Sequence, residues 1–235
     1  MTAMACALSN RFDPDQERRY KREREYERAV KDYDVSIMAR MFAITTLALD
    51  RNPEQDFLGD MYMRLNLGSH WHGQFFTPYH LTELMAKVTI EKEKAIAQVE
   101  DHGWISVCDC ACGAGATLVA AANELRNIGI NYQTQAIFVG QDIDSVVAKM
   151  CFIQLSLLGC PGYIVVANSL TNPLVGEVLL PMEKESQEFW YTPFWWMDVW
   201  AGRRSAKILD KLLRQSFAKK PKEPEPIFFF DFGKE

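Results

Sequence analysis

The stretch CDCACGAGAT, residues 108 to 117, constrains this chain more than any other. A short apolar run over 105–108 meets an acid, then small residues and two glycines, then a helix-prone segment over 117–128. A turn stripped of side chains lets a ligand approach the backbone closely. The segments that follow alternate. Residues 136–140 read as a second strand ending at Gln141-Asp142, 145–158 as a helix closed by Gly159 and Pro161, and 163–167 as a third strand. A fourth strand is expected at 189–191, a basic helix at 203–218 and a fifth strand at 227–230. This β-α-β-α-β order predicts an α/β fold: a parallel sheet covered by helices on both faces, with ligands beyond the carboxyl ends of its strands.

Ahead of the turn the texture is helical. Residues 17–31 form a helix of mixed charge, either a solvated face or a phosphate-touching arm. Residues 35–49 form a more apolar one, with Val35, Met38, Met41, Phe42 and Leu49 on its expected buried side. Asn52-Pro53 breaks that helix, and 57–67 gives a third, stopped by Gly68. The division expected is a helical lobe over 1–70 and a ligand-binding domain over 71–235.

With 235 residues, nearly half of them apolar, the chain can bury one sizeable core, and its net charge of −5 argues against a surface that grips nucleic acid all over. No leader-like start and no long apolar run are evident, so a cytoplasmic protein with no membrane partner is expected. The six cysteines are then reduced thiols. Cys108, Cys110 and Cys112 alternate as on a strand, which would send all three from one face. They lack a C-x2-C spacing and a matching second half, so no metal site is expected.

Three nucleotide-type turns compete for the glycines. A Walker phosphate loop needs a lysine that no residue near Gly113 or Gly115 supplies, and a dinucleotide fingerprint needs a third glycine where Leu118 stands. S-adenosylmethionine needs an acid near the turn for its ammonium and another at the end of the next strand for its ribose hydroxyls. Asp109 and Asp142 stand where those acids are wanted.

GQFFTP (73–78), DCACGAG (109–115), GQDID (140–144) and ANSL (167–170), in that order, together resemble the adenine-N6 DNA methyltransferases, in particular the modification subunits of type I restriction systems and their phage or mobile-element relatives. The likeness runs from about Asp56 through Leu170. It implies a Rossmann-like class I methyltransferase domain that binds S-adenosylmethionine. Carried over, it sets Gln74, Phe75, Phe76 and Thr77 at the methionine end, with one phenylalanine facing the sulfonium. Asp109, Ala111, Cys112, Gly113 and Gly115 would hold the amino-acid end, Asp142 and Ile143 the ribose region, and Asn168 the adenine edge.

The family's amine-binding loop, [Asp/Asn/Ser]-Pro-Pro-[Tyr/Phe/Trp], is absent. Its best positional match is Tyr191-Thr192-Pro193-Phe194, which keeps the second proline and the aromatic; Asn172-Pro173-Leu174 has the amide but no aromatic. About 40 residues follow Phe194, too few for a target-recognition domain, so specificity is expected from a partner subunit. The alternatives are a cofactor-binding subunit or decoy that has lost transfer, and a methyltransferase with another substrate. A DNA-backbone contact is expected, if anywhere, along the basic span 203–222, and Trp190, Trp195, Trp196 and Trp200 are expected mostly as packing.

Overall fold

The computed structural model describes residues 1–31, 33–65, 67 and 76–217. Four helices come first: α1 (Thr2–Phe12), α2 (Gln16–Val30), α3 (Val35–Arg51) and α4 (Phe57–Arg64). Asp15, Asp34 and Asp56 begin the last three, each accepting a backbone N–H of the first turn, as an N-cap should. Two more helices, α5 (Tyr79–Thr89) and α6 (Lys92–His102), lead into β1 (Ile105–Asp109). Then follow α7 (Ala116–Asn127), α8 (Tyr132–Gln135), β2 (Ala136–Asp142), α9 (Ser145–Leu158) and β3 (Gly162–Val166). A small hairpin, β4 (Gly176–Glu177) with β5 (Leu180–Pro181), precedes β6 (Glu188–Tyr191), a 3-10 turn at Pro193–Trp196 and α10 (Asp198–Phe217).

The main sheet has the order β1-β2-β3-β6. β1, β2 and β3 are parallel, whereas β6 runs antiparallel to β3 and pairs Tyr191 with Tyr163 and Glu188 with Val166. The molecule is thus a mixed α/β protein with a parallel-rich sheet, and the fourth strand departs from the expected parallel run. The fifth strand expected at 227–230 lies outside the described residues.

Successive side chains alternate across the sheet. Ala136, Phe138, Ile164 and Trp190 join a core with α7 and α9, which also takes in Met4, Ala5 and Cys6 of α1 and Leu58 of α4. Ile137, Val139, Tyr163, Val165, Phe189 and Tyr191 face a second core with Trp195 and Trp200. On that side the sheet is covered by the hairpin, the 3-10 turn and the start of α10, rather than by a full helical layer.

Helix α1 escapes a periodicity search because much of its buried face is Ala3, Ala5 and Cys6, residues too small to mark a stripe. In α3 the inward side is Met38, Phe42, Thr45 and Leu49, while Val35 and Met41 are 52% and 50% exposed. Hydrophobicity alone could not rank these positions, since the helix is apolar on more than one side.

The three cysteines do not share a face. The strand ends at Asp109, so only Cys108 lies on it, beside the second core, and Cys112 is buried in the first. Charged residues of α2 also turn inward: Arg22 is buried over the Trp190 ring at 4.6 Å and donates to Asp13 at 2.7 Å and to the Phe189 carbonyl at 2.5 Å. This bolts α2 to β6. No helix among the described residues is long and apolar enough to cross a membrane.

Candidate functional site

Parallel pairing sets Asp109 opposite Gly140, so Asp142 extends two residues beyond it at the same carboxyl edge. The two carboxylates flank one turn. Asp109 Oδ1 accepts the Ala111 N–H at 3.0 Å, and its other oxygen accepts the Thr117 hydroxyl from the first turn of α7. Asp142 Oδ2 accepts the Gly113 N–H at 2.8 Å, and Oδ1 accepts the Asp144 N–H at 2.9 Å. An ionised carboxylate has about four acceptor sites, so both acids keep capacity for a ligand.

Both glycines are required by the backbone, and Gly115 by space as well. Gly113 has φ of +52° and a Cβ there would lie 3.5 Å from the Phe76 ring; Gly115 has φ of +99° and a Cβ would meet Cys151 Sγ at 2.7 Å. The turn therefore packs tightly on α9 with the Phe76 ring in ordinary contact on its other side, and delivers the N-terminus of α7 to the cleft, where partial positive charge favours a carboxylate.

A cleft of about 90 Å³ opens here, lined by Phe76, Thr77, Asp109, Ala111, Cys112 and Gly113 among the expected residues. A hydrogen bond with Cys151, together with burial, pushes the Cys112 thiol well up, so this cysteine is a packing group and not a nucleophile. Ile143, 68% exposed, projects beside Asp142. Asn168 follows the end of β3, next to Ala167, whose N–H bonds the Asp142 carbonyl at 2.9 Å. Its side-chain oxygen accepts the Leu170 and Thr171 N–H groups at 2.9 and 3.1 Å, which leaves its NH2 as the donor available to a base. Gln74 and Phe75 lie outside the described residues.

Asp56, Thr82 and Thr117 also line the cleft, and sequence reasoning gave them no role. Asp56 is buried, which raises its carboxyl pKa; it caps α4 through the Gly59 N–H at 2.9 Å and accepts the Gln154 amide at 2.7 Å. Gln154 NH2 also donates to the Ala114 carbonyl at 2.8 Å. A chain of hydrogen bonds thus runs from α4 through α9 to the glycine turn. The N-cap position of Asp56, just ahead of a helix, was the one trace of this in the sequence.

The segment Tyr191-Thr192-Pro193-Phe194 is not brought to the cleft. Because β6 runs antiparallel, its end reaches the amino end of β3, across the sheet from Asp109, Asp142 and Asn168. Tyr191 is only 4% exposed, donates its hydroxyl to Glu183 at 2.8 Å and lies within 5.5 Å of the Tyr163, Trp195 and Trp196 rings. Burial pushes that hydroxyl far above its ordinary range. Thr192 Oγ1 donates to the Cys160 carbonyl at 2.8 Å and accepts the Gly162 N–H at 3.0 Å. Pro193 opens the 3-10 turn, and Phe194 closes over Gly159. These four residues close the far end of the sheet. Tyr191→Phe is expected to cost about 1 kcal/mol in urea unfolding, the worth of one hydrogen bond, and to leave ligand titrations at the cleft unchanged.

Within the basic span, of which residues 218–222 lie outside the described residues, two arginines are taken up by the fold. The Arg203 guanidinium donates to the Gly103 and Thr134 carbonyls at 2.8 and 2.5 Å, and Arg204 donates to the Trp195 carbonyl at 2.7 Å. Each lies over a tryptophan ring at 4.4 Å, Arg203 over Trp200 and Arg204 over Trp195. Both are clamps of the fold, and Trp190, Trp195 and Trp200 are buried.

Comparison with known proteins adds one match. The model of the N-6 DNA methylase family fits residues 53–224. Neither a curated protein nor a solved structure matches the chain. The matched span covers β1, β2 and β3, the glycine turn and both aspartates, and takes in most of the sequence: this chain belongs to the N-6 DNA methylase family.

Proposed function

We propose that the chain binds S-adenosylmethionine at this cleft, on a Rossmann-like class I methyltransferase domain braced by the helical lobe before residue 70, and serves adenine-N6 methylation of DNA. The observation that carries the reading is the Asp142 carboxylate bonded to the Gly113 amide of the turn that Asp109 supports from its other side. The cleft of about 90 Å³ is lined by Asp109, Thr77 and the glycine turn, polar groups that suit the amino-acid end of the cofactor. Asp109, Thr77 and the α7 N-terminus answer that end. Asp142 offers acceptors to ribose hydroxyls, and Ile143 and the Asn168 amide offer a flat apolar contact and a donor to adenine. When bound, the cofactor supplies an electrophilic methyl group.

Isothermal titration with S-adenosylmethionine tests this. Asp142→Ala is expected to weaken binding at least about tenfold, or 1.4 kcal/mol; equal heats from both proteins would remove Asp142 from the pocket.

The placement of Tyr191 to Phe194 favours a second reading, in which the described residues hold the cofactor while the groups that bind the target amine, and target recognition itself, come from elsewhere. Positive charge left for a DNA backbone in α10 is Lys207, Lys211 and Arg214, the first ion-paired to Glu177 and the last to Asp210. Transfer of labelled methyl to adenine-containing DNA, with and without a specificity subunit, separates the readings. Label above background from the chain alone would overturn the second.

A further inference from the structure

Asp56 and Asp109 both line the cleft, and they are engaged differently. Asp109 has a donor on each oxygen, the Ala111 N–H on Oδ1 and the Thr117 hydroxyl on Oδ2, and both donors belong to the turn and helix that it supports. Asp56 takes its two donors on a single oxygen: the Gly59 N–H at 2.9 Å and the Gln154 NH2 at 2.7 Å both meet Oδ1. An ionised carboxylate has about two acceptor sites on each oxygen, so Oδ2 has capacity for a ligand. The residue is only 6% exposed, and it comes from the helices ahead of the sheet rather than from the turn.

The surroundings fix this carboxylate in place. Gln154 is fully buried on α9, and its amide is held at both ends: NH2 donates to Asp56 and to the Ala114 carbonyl at 2.8 Å, and the oxygen accepts the Leu58 N–H at 3.1 Å. An amide held in this way presents a donor to Asp56 and cannot turn its oxygen there. Gly59 completes the seat. A Cβ at that position would fall 2.0 Å from Asp56 Oδ2 and 2.6 Å from its Cγ, so any side chain there displaces the carboxylate. Burial raises the Asp56 carboxyl pKa, and the two hydrogen bonds only partly oppose it. A cation in the cleft favours the ionised form that burial disfavours.

We propose that Asp56 is a further ligand-binding acid of this cleft, its carboxylate accepting a hydrogen bond from the ammonium of the cofactor's amino-acid end while Gln154 and Gly59 hold it in position. The assignment rests on the cofactor reading above and deepens it. The amino-acid end carries an ammonium beside a carboxylate, and the α7 N-terminus, with its partial positive charge, suits only the second of these. An acid brought in from outside the turn answers the first. Because Gln154 joins Asp56 to the Ala114 carbonyl, a ligand held by Asp56 also ties α4 to the glycine turn.

Isothermal titration of the full chain with S-adenosylhomocysteine, and with its analogue in which hydrogen replaces the amino group, tests this. Asp56→Asn keeps an acceptor for the Gly59 N–H and the Gln154 NH2 and removes the charge. It is expected to weaken S-adenosylhomocysteine at least about tenfold, the loss of a charge-assisted hydrogen bond, and to bind the analogue within about twofold of the unaltered chain. Gly59→Ala keeps the carboxylate but moves it, so it is expected to discriminate between the ligands in the same sense, and it decides the matter if Asp56→Asn does not fold. Asp142→Ala is expected to weaken both ligands alike. Equal affinity for S-adenosylhomocysteine in the unaltered chain and in Asp56→Asn overturns the inference and leaves the cofactor reading standing. An equal loss on the two ligands does the same, since Asp56 would then only brace the turn. No binding of S-adenosylhomocysteine by the unaltered chain overturns the inference and the cofactor reading together.

Discussion

Asp13→Ala is expected to destabilise the fold by about 3–5 kcal/mol in urea unfolding, the cost of stranding a buried charge by deleting its partner. The Asp13 side chain is fully buried and accepts from Arg18 Nε at 3.0 Å and Arg22 Nη1 at 2.7 Å, with the Asp15 N–H at 3.0 Å. Arg18 reaches the solvent side and a second acid, Glu183, so it tolerates the loss. Arg22 does not: its side chain is 5% exposed and wedged over Trp190.

The effect carries a pH signature. Burial by itself raises the Asp13 carboxyl, but the hydrogen bonds from Arg18, the Asp15 amide and Arg22 outweigh it and hold the pKa below its ordinary value of 3.8. A carboxyl depressed in the folded state adds stability above its unfolded pKa and loses it as pH falls through the folded one. The gap between parent and variant should therefore be constant above about pH 5 and shrink below about pH 4. A loss under about 1 kcal/mol at neutral pH would show that α2 is not bolted to the sheet through this acid.

Gly162→Ala is expected to cost more than about 4–5 kcal/mol, the range reserved for outright steric conflict, and to abolish soluble expression. Gly162 opens β3 opposite Phe138 with φ of +153°, and a Cβ there would fall 1.8 Å from the Phe138 carbonyl oxygen and 2.9 Å from its nitrogen. The obstacle is the backbone of the neighbouring strand, so no rotamer change relieves it. The strand end is also pinned, since Gly162 exchanges hydrogen bonds with Thr192, from its N–H to Oγ1 at 3.0 Å and from the Thr192 N–H to its carbonyl at 2.9 Å. Gly129→Ala is the control: φ is +94°, but nothing lies within 4 Å of a new Cβ. It should cost only the backbone penalty, about 1–2 kcal/mol. Equal thermal midpoints for the two variants would mean that β3 can shift off Phe138.

The amino-acid sequence by itself determined the order of strand, glycine turn, helix and second strand, and through that order the meeting of Asp109 and Asp142. Parallel neighbours joined by a helix have only one way to lie, and glycines at positive φ are written into the turn. Those are local properties, and local properties survive in a linear text. Only the tertiary structure decided that Tyr191 to Phe194 belong to the far end of the sheet. The direction of β6 depends on the path of the loop and hairpin before it, which cover the second face and bring the chain back at the carboxyl edge of β3. No periodicity records which way a short apolar strand will run. The same holds for Arg22, Arg203 and Arg204, whose sequence context predicts solvent and whose partners, a carboxylate, carbonyls and indole rings, are assembled from residues far along the chain. A charge is placed inside only when folding gathers enough acceptors to replace water, and that sum is taken in three dimensions.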